Sequence, residues 1–303
     1  MIADMSTGKS HNSGKLILLA IVASCLILAI VLILTCGSPE ASARAACIEL
    51  MKKVPAGYQD FEFWDIDTMR NNRDYASMYD VWVEKHGGYR DIIPVAGIEY
   101  RASGGVLTMV TCDLPLDDIR NKLSNDYYRD NGYTDSEVWL LKPEHQDRGL
   151  IGAFVLDDGL VIWGNKFNID DYLGVVLKGR PSFYKDDVAG IVKRLPAGIM
   201  IRASVTRVTG LGSITAMTVA PEKAGVYRWT SVTRFLDTGD IADHLVEVYI
   251  ESLENDFRRT EEIYRERKEP SPFRDFSLER NGPDVTWSVL VDDEQMIALL
   301  FYG

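Results

Sequence analysis

Between Leu16 and Thr35 the chain carries no charged, amide or proline side chain; the run reads LILLAIVASCLILAIVLILT. About twenty residues rising ~1.5 Å each span the roughly 30 Å hydrocarbon core of a bilayer. In that medium a single segment satisfies its backbone N–H and C=O groups only as a helix. The run predicts a transmembrane helix or lipoprotein signal over residues 16–36, a cytoplasmic tail over 1–15 and a tether over 37–45. Everything that can carry a specific function then lies C-terminal to it.

Three readings of this N-terminus put the body in the same place. The run is longer than the 7–15 residues of a secretory h-region, which favours an uncleaved anchor. Cys36, followed by Gly37-Ser38-Pro39-Glu40, is a candidate lipidation site, although Thr35 stands where Gly, Ala or Ser is expected. Ala41-Ser42-Ala43 offers a cleavage site. Lys9 and Lys15 precede the run while Arg44, Lys52 and Lys53 follow it, so counting basic residues does not orient it. The short tail and the large body behind one early helix predict a membrane-anchored protein with its body on the extracytoplasmic side. The net charge of −12 agrees, because an acidic body is repelled by anionic lipid. It also excludes nucleic acid as a partner, which needs a basic footprint. Gly8-Lys9-Ser10 lacks the preceding Gly and strand of a phosphate-binding loop and reads as a basic leader.

The body repeats itself. Cys47 to Gly57 (CIELMKKVPAG) aligns with Val188 to Gly198 (VAGIVKRLPAG): an apolar helical turn, two basic residues, then an aliphatic-Pro-Ala-Gly stop. Proline cannot continue a helical ladder and glycine accepts positive φ, so each copy spells a helix-to-strand turn. Val95–Ala102 with Val106–Cys112 forms a hairpin pattern answered by Ser213–Ala220 with Val226–Phe235, and each hairpin feeds a helix. Ile151–Gly164 and Trp287–Gly303 close the copies, each read as strand, turn, strand, with Asp157-Asp158-Gly159 as a two-residue hairpin signal. An additional helix over about Asp67–His86 occurs in the first copy alone. The expectation is an α+β body of two tandem modules, residues 46–182 and 183–303, each a mostly antiparallel sheet with helices packed on one face. The sheets are expected to pack together or run on as one body. A long helix over about Asp240–Lys268 ends in a densely charged arm. Its Arg258, Arg259, Arg265, Arg267 and Lys268 form a candidate partner surface.

Chemistry-bearing residues are sparse. His86, His145 and His244 have no second His or Cys at ligand spacing, and each is expected at the solvated surface, with no metal and no cofactor implied. Ser182-Phe183-Tyr184-Lys185 has Ser-x-x-Lys spacing without its companion motifs. Five acid pairs recur: Asp117/Asp118, Asp157/Asp158, Asp170/Asp171, Asp186/Asp187 and Asp292/Asp293. All are expected at helix starts or hairpin tips, where acids favour first-turn amides and turns. Cys47 and Cys112 either form a disulfide in an oxidising compartment or pack as small apolar residues.

Val54-Pro55-Ala56-Gly57, Leu195-Pro196-Ala197-Gly198 and Val155-Leu156-Asp157-Asp158-Gly159 carry a resemblance to uncharacterised prokaryotic membrane-anchored or lipoprotein-like extracytoplasmic proteins with a duplicated α+β module. These motifs are structural and transfer no catalytic residue. The expected function is that of a non-enzymatic, membrane-tethered binding or scaffolding protein. The alternatives are a carrier of a lipid or other apolar ligand in a cleft between sheet and helices, and a carboxylate-dependent hydrolase. Expected partners are the bilayer, through residues 16–36, and an unknown protein or apolar ligand.

Overall fold

The computed structural model describes residues 39–86, 98–104, 107–112, 115–148, 152–157, 159–208, 211–236 and 239–301. The anchor run, Cys36 and the side chains of His86 and Cys112 lie outside the described residues. Among the described residues no helix is long and apolar enough to cross a membrane.

The first half runs α1 (Pro39–Met51), β1 (Asp60–Asp65), α2 (Ile66–Asn71), a 3-10 turn (Arg73–Tyr75) and α3 (Ala76–His86). It continues through β2 (Ile98–Gly104), β3 (Leu107–Cys112), α4 (Leu116–Asp126), β4 (Tyr127–Arg129) and β5 (Glu137–Leu141). After a second 3-10 turn (Pro143–Arg148) come β6 (Ala153–Asp157), β7 (Leu160–Gly164) and α5 (Lys166–Lys178). The second half runs α6 (Asp186–Arg194), β8 (Met200–Val208), β9 (Leu211–Lys223), β10 (Val226–Phe235), α7 (Asp240–Arg267), β11 (Phe273–Asn281), β12 (Asp284–Asp292) and α8 (Asp293–Phe301).

All twelve strands form one antiparallel sheet in the order β11-β12-β10-β9-β8-β1-β2-β3-β7-β6-β5-β4. The fold is α+β. Read outward from the centre, each half is a three-strand meander and then a hairpin (β6–β7 or β11–β12); the first half adds β5 and β4 at its outer edge. The halves meet where β1 pairs β8, with Phe61 opposite Ala203 and Glu62 opposite Arg202. The aligned Pro-Ala-Gly turns make Phe61 equivalent to Arg202 and Glu62 to Ala203, so the two pairs exchange under a two-fold axis through the seam. The unit Ala43–Gly303 is compact as a whole.

Helices cover both faces of this sheet, not one. Phe61, Phe63, Ile162, Ile201 and Ala216 pack with α1 (Cys47, Met51), α5 (Ile169, Tyr172) and α6 (Val188, Ile191). The alternating residues Trp64, Val110, Phe154, Trp163, Val219 and Tyr227 pack with α2–α3 (Met69, Met78, Trp82), α4 (Ile119, Leu123) and α8 (Met296). Helix α7 joins this second face through Phe257, whose ring stacks 3.8 Å from that of Phe276. The reason is written in the strands: all five residues of β7 are buried, and a continuous apolar run is the pattern of a strand covered on both sides.

Three further expectations change. The additional helix is broken at Asn72, whose side chain accepts from Asp74 N at 3.0 Å and starts the 3-10 turn. The segment reaches across the seam: Tyr227 Oη donates to Asp74 O at 2.6 Å, and Tyr75 stacks on Tyr227. One insertion at the centre thus packs against both halves, which accounts for its single occurrence. Next, the closing hairpin of the second half is β11–β12, turning at Gly282 (φ 60), and it answers β6–β7, turning at Gly159 (φ 67). Asp292 and Asp293 resemble Asp157 and Asp158 in spelling. They lead instead into α8, whose first turn holds Asp293 and Glu294 and whose Met296 is buried. Last, Cys47 is a free thiol, fully buried in the first core, where it packs as a small apolar residue; burial pushes its pKa up.

Candidate functional site

Helix α5, absent from the expected module, lines three cavities. Asn165 caps it, accepting from Asn168 N at 2.9 Å. Ile169, Tyr172 and Leu173, at i, i+3 and i+4, fasten it to the sheet. Gly179, at φ 62, ends it in the left-handed conformation that favours glycine, and Arg180 N then donates to Gly174 O at 3.0 Å. The chain folds back on the helix, and Gly174 leaves room for the Arg180 side chain. A Cβ there would lie 2.7 Å from Arg180 Cδ and 3.0 Å from its Nε, so the arginine stem lies across the helix where a side chain would otherwise stand.

The segment after Arg180 is then bonded to the first Pro-Ala-Gly turn. Ala56 N donates to Pro181 O at 3.1 Å, Phe183 N donates to Val54 O at 2.7 Å, and Pro55 bridges Ser182. Between this turn and α5 lies an open cleft of about 480 Å³, lined by Pro55, Ala56, Gly57, Tyr58, Phe167, Asn168, Asp171, Val175, Arg180 and Pro181. Its walls are mainly apolar. Phe167, on the rim, is 72% exposed. The polar groups are few: Asp171 Oδ1 lies 3.5 Å from Arg180 Nη1, and the Tyr58 hydroxyl is pushed up by burial and then by the negative Asp171. Asn168 is 5% exposed, and its Nδ2 has no hydrogen-bond partner.

Two smaller cavities, of about 350 and 250 Å³, lie along the same helix. Leu177 lines both and Val176 the smaller, and they are 46% and 41% exposed. Beside them Lys166 Nζ lies 2.7 Å from Asp170 Oδ2 and 3.0 Å from Tyr133 Oη, and the tyrosine donates to Asp170 Oδ1. Burial, and then the bond to Asp170, push the Tyr133 hydroxyl up. The carboxyl of Asp170 is held down, since the bonds from Lys166 and Tyr133 outweigh burial. A tyrosine raised in this way holds its proton, and Asp170 stays bonded to both neighbours, so the trio pins α5.

The acid pairs separate into classes. Asp117/Asp118 and Asp186/Asp187 occupy first turns of α4 and α6, as expected, although neither helix has a side-chain cap bond. There they act through the helix dipole. Asp157 ends β6, and Asp292 and Asp293 stand at the β12–α8 junction. Asp170/Asp171 is the exception, lying in the second turn of α5, at neither a helix start nor a hairpin tip. Its two carboxylates are drawn to different cations, Lys166 and Arg180. Among the described residues no group of three or more His, Cys, Asp or Glu is placed to hold a metal.

His244 is exposed on α7, but His145 is half-buried, with Nδ1 2.9 Å from Asp126 Oδ1. Arg258, Arg259, Arg265, Arg267 and Lys268 do stand exposed on and just past the last turns of α7, with the Arg267 guanidinium over the Tyr264 ring. Glu261, Glu262 and Glu266 are interleaved with them. None of these residues lines the clefts around α5 described above.

No protein-family profile and no curated protein matches the chain. Among solved structures, that of TP0453 in its crystal form I is similar, at 8% identity and a TM-score of 0.46, over 82% of this chain and 95% of that one.

Proposed function

We propose that this chain is a non-catalytic, membrane-tethered binding protein, its body on the extracytoplasmic side, that receives the apolar part of a ligand in the cleft between α5 and the Pro55–Tyr58 turn. The observation that carries this reading is the cleft itself. Its volume of about 480 Å³ falls within the range of small-ligand sites, roughly 300–1,000 Å³. Its walls are apolar with few polar groups, and an exposed aromatic stands at its mouth. Of the two binding readings, this favours the ligand carrier over the scaffold that meets a partner through the charged arm, where acids and bases are interleaved around the lone exposed Ile263 rather than around an apolar patch. Residues 16–36 supply the tether to the bilayer.

The test is native mass spectrometry of the membrane-extracted full chain beside its Phe167→Glu variant. Phe167 is exposed enough for the change to spare the fold. A non-covalent apolar adduct on the parent chain, lost in the variant, is expected. Equal spectra, with or without adducts, remove the cleft from the function.

A further inference from the structure

The cleft holds one feature that an apolar ligand alone does not account for. Asn168 is 5% exposed, lines the cleft, and its amide nitrogen donates to nothing. Buried amides are ordinarily paired, and one left over in a native structure calls for an explanation. Its backbone N–H is already used by the Asn165 cap, so the side chain is not needed to start the helix. No partner fixes the amide, and a half-turn about its last torsion exchanges its donor and acceptor edges.

The second donor is Arg180, carried across α5 by the gap at Gly174. Of its guanidinium, Nη1 makes a long 3.5 Å contact with Asp171, and the side chain is 57% exposed. The remaining N–H groups of that fork match the planar oxygens of a carboxylate. The polar end of the cleft therefore offers a guanidinium and, after that half-turn of Asn168, an amide donor, against the single carboxylate of Asp171.

Resting on the reading of the cleft as an apolar binding site, we infer that its ligand carries a carboxylate on a compact apolar body, with the carboxylate held by Asn168 and Arg180. Asp171 then serves as a positioning residue that aims the arginine.

Three probes with one apolar body separate the terms: 3-phenylpropionate, 3-phenylpropylamine and propylbenzene. Equilibrium binding is measured on the full chain in nanodiscs, with empty nanodiscs as reference. The carboxylate is expected to bind at least tenfold tighter than the other two. Asn168→Leu and Arg180→Met, each checked for an unchanged circular dichroism spectrum, should each remove that advantage while propylbenzene binding persists. If all three probes bind alike and neither variant changes the order, or if the amine is preferred, the inference is overturned and the apolar reading stands. If no probe binds above the empty nanodisc, the apolar reading falls and takes the inference with it.

Discussion

Gly57 and Gly198 occupy the same place in the repeated turn, yet alanine should be harmless at one and damaging at the other. Neither glycine has a positive φ, so the reason is not backbone conformation. A Cβ on Gly198 would lie 2.2 Å from Val219 O and 2.4 Å from Thr218 Oγ1. Both atoms are committed: Val219 O accepts from Ile199 N at 3.1 Å, and Thr218 Oγ1 donates to Met200 O at 2.8 Å. Relief requires moving β9 backbone in the middle of the sheet. Overpacking of this kind costs about 1–3 kcal/mol, and weakening one of those bonds adds about 1 kcal/mol. Gly198→Ala should therefore destabilise by about 2–4 kcal/mol, lowering Tm by roughly 5–15 °C for a body of this size. At Gly57 a Cβ meets nothing within 4 Å. Gly57→Ala should be neutral or stabilise by about 0.4–1 kcal/mol, through a less flexible unfolded chain. Urea and thermal unfolding of residues 37–303, followed by tryptophan fluorescence, read both. Equal losses at the two sites, or none at Gly198, would refute the close approach of β9 to the second turn.

Asp284 tests the electrostatics. Burial alone would raise its carboxyl, but Arg234 and Arg194, at 2.7 and 2.6 Å, pull it down to about 2. A depressed carboxylate contributes stability above its unfolded pKa of about 3.9 and loses it as pH falls through the folded value. With both arginines partly in solvent, Asp284→Asn should cost about 1–2 kcal/mol at pH 7. That deficit should shrink below about pH 4; urea midpoints that keep a constant gap down to pH 2.5 contradict it. Cys47, buried and with its thiol pushed up, should be silent to a thiol reagent in the folded protein and react on unfolding without reductant; silence in denaturant would mean a disulfide. Gly174→Ala should leave Tm unchanged or slightly higher, since helix propensity improves by about 1 kcal/mol. It should nevertheless weaken carboxylate binding several-fold by displacing Arg180, and an unchanged affinity would detach that residue from the site.

Much of the fold is legible in the residues. The two Pro-Ala-Gly turns locate β1 and β8, and the alternating and apolar runs place β9, β10 and α7 within a few residues of their observed bounds. What escaped was governed by packing rather than spelling. The continuous apolar runs of β6 and β7 look like strands whichever side is covered, and only their full burial shows helices on both faces. The Asp292-Asp293 pair reads as a turn until the buried Met296 makes it a helix start. The site itself was missed because α5 was. Its signals were present in Asn165 as a cap, the spacing of Ile169, Tyr172 and Leu173, and Gly179 as a stop. The cleft depends instead on Arg180 folding back over Gly174 and on backbone bonds between Pro181 and Ala56, contacts that no local pattern records.

Methyl-resolved NMR of the full chain, titrated with 3-phenylpropionate, tests the place of binding most directly. The methyl groups of Ala56 and Val175, on opposite walls of the cleft, are expected to shift together and saturate, while those of Val248 and Ile263 on α7 stay still. Shifts confined to α7, or none at Ala56 and Val175 at saturating probe, would contradict a ligand site between α5 and the Pro55–Tyr58 turn.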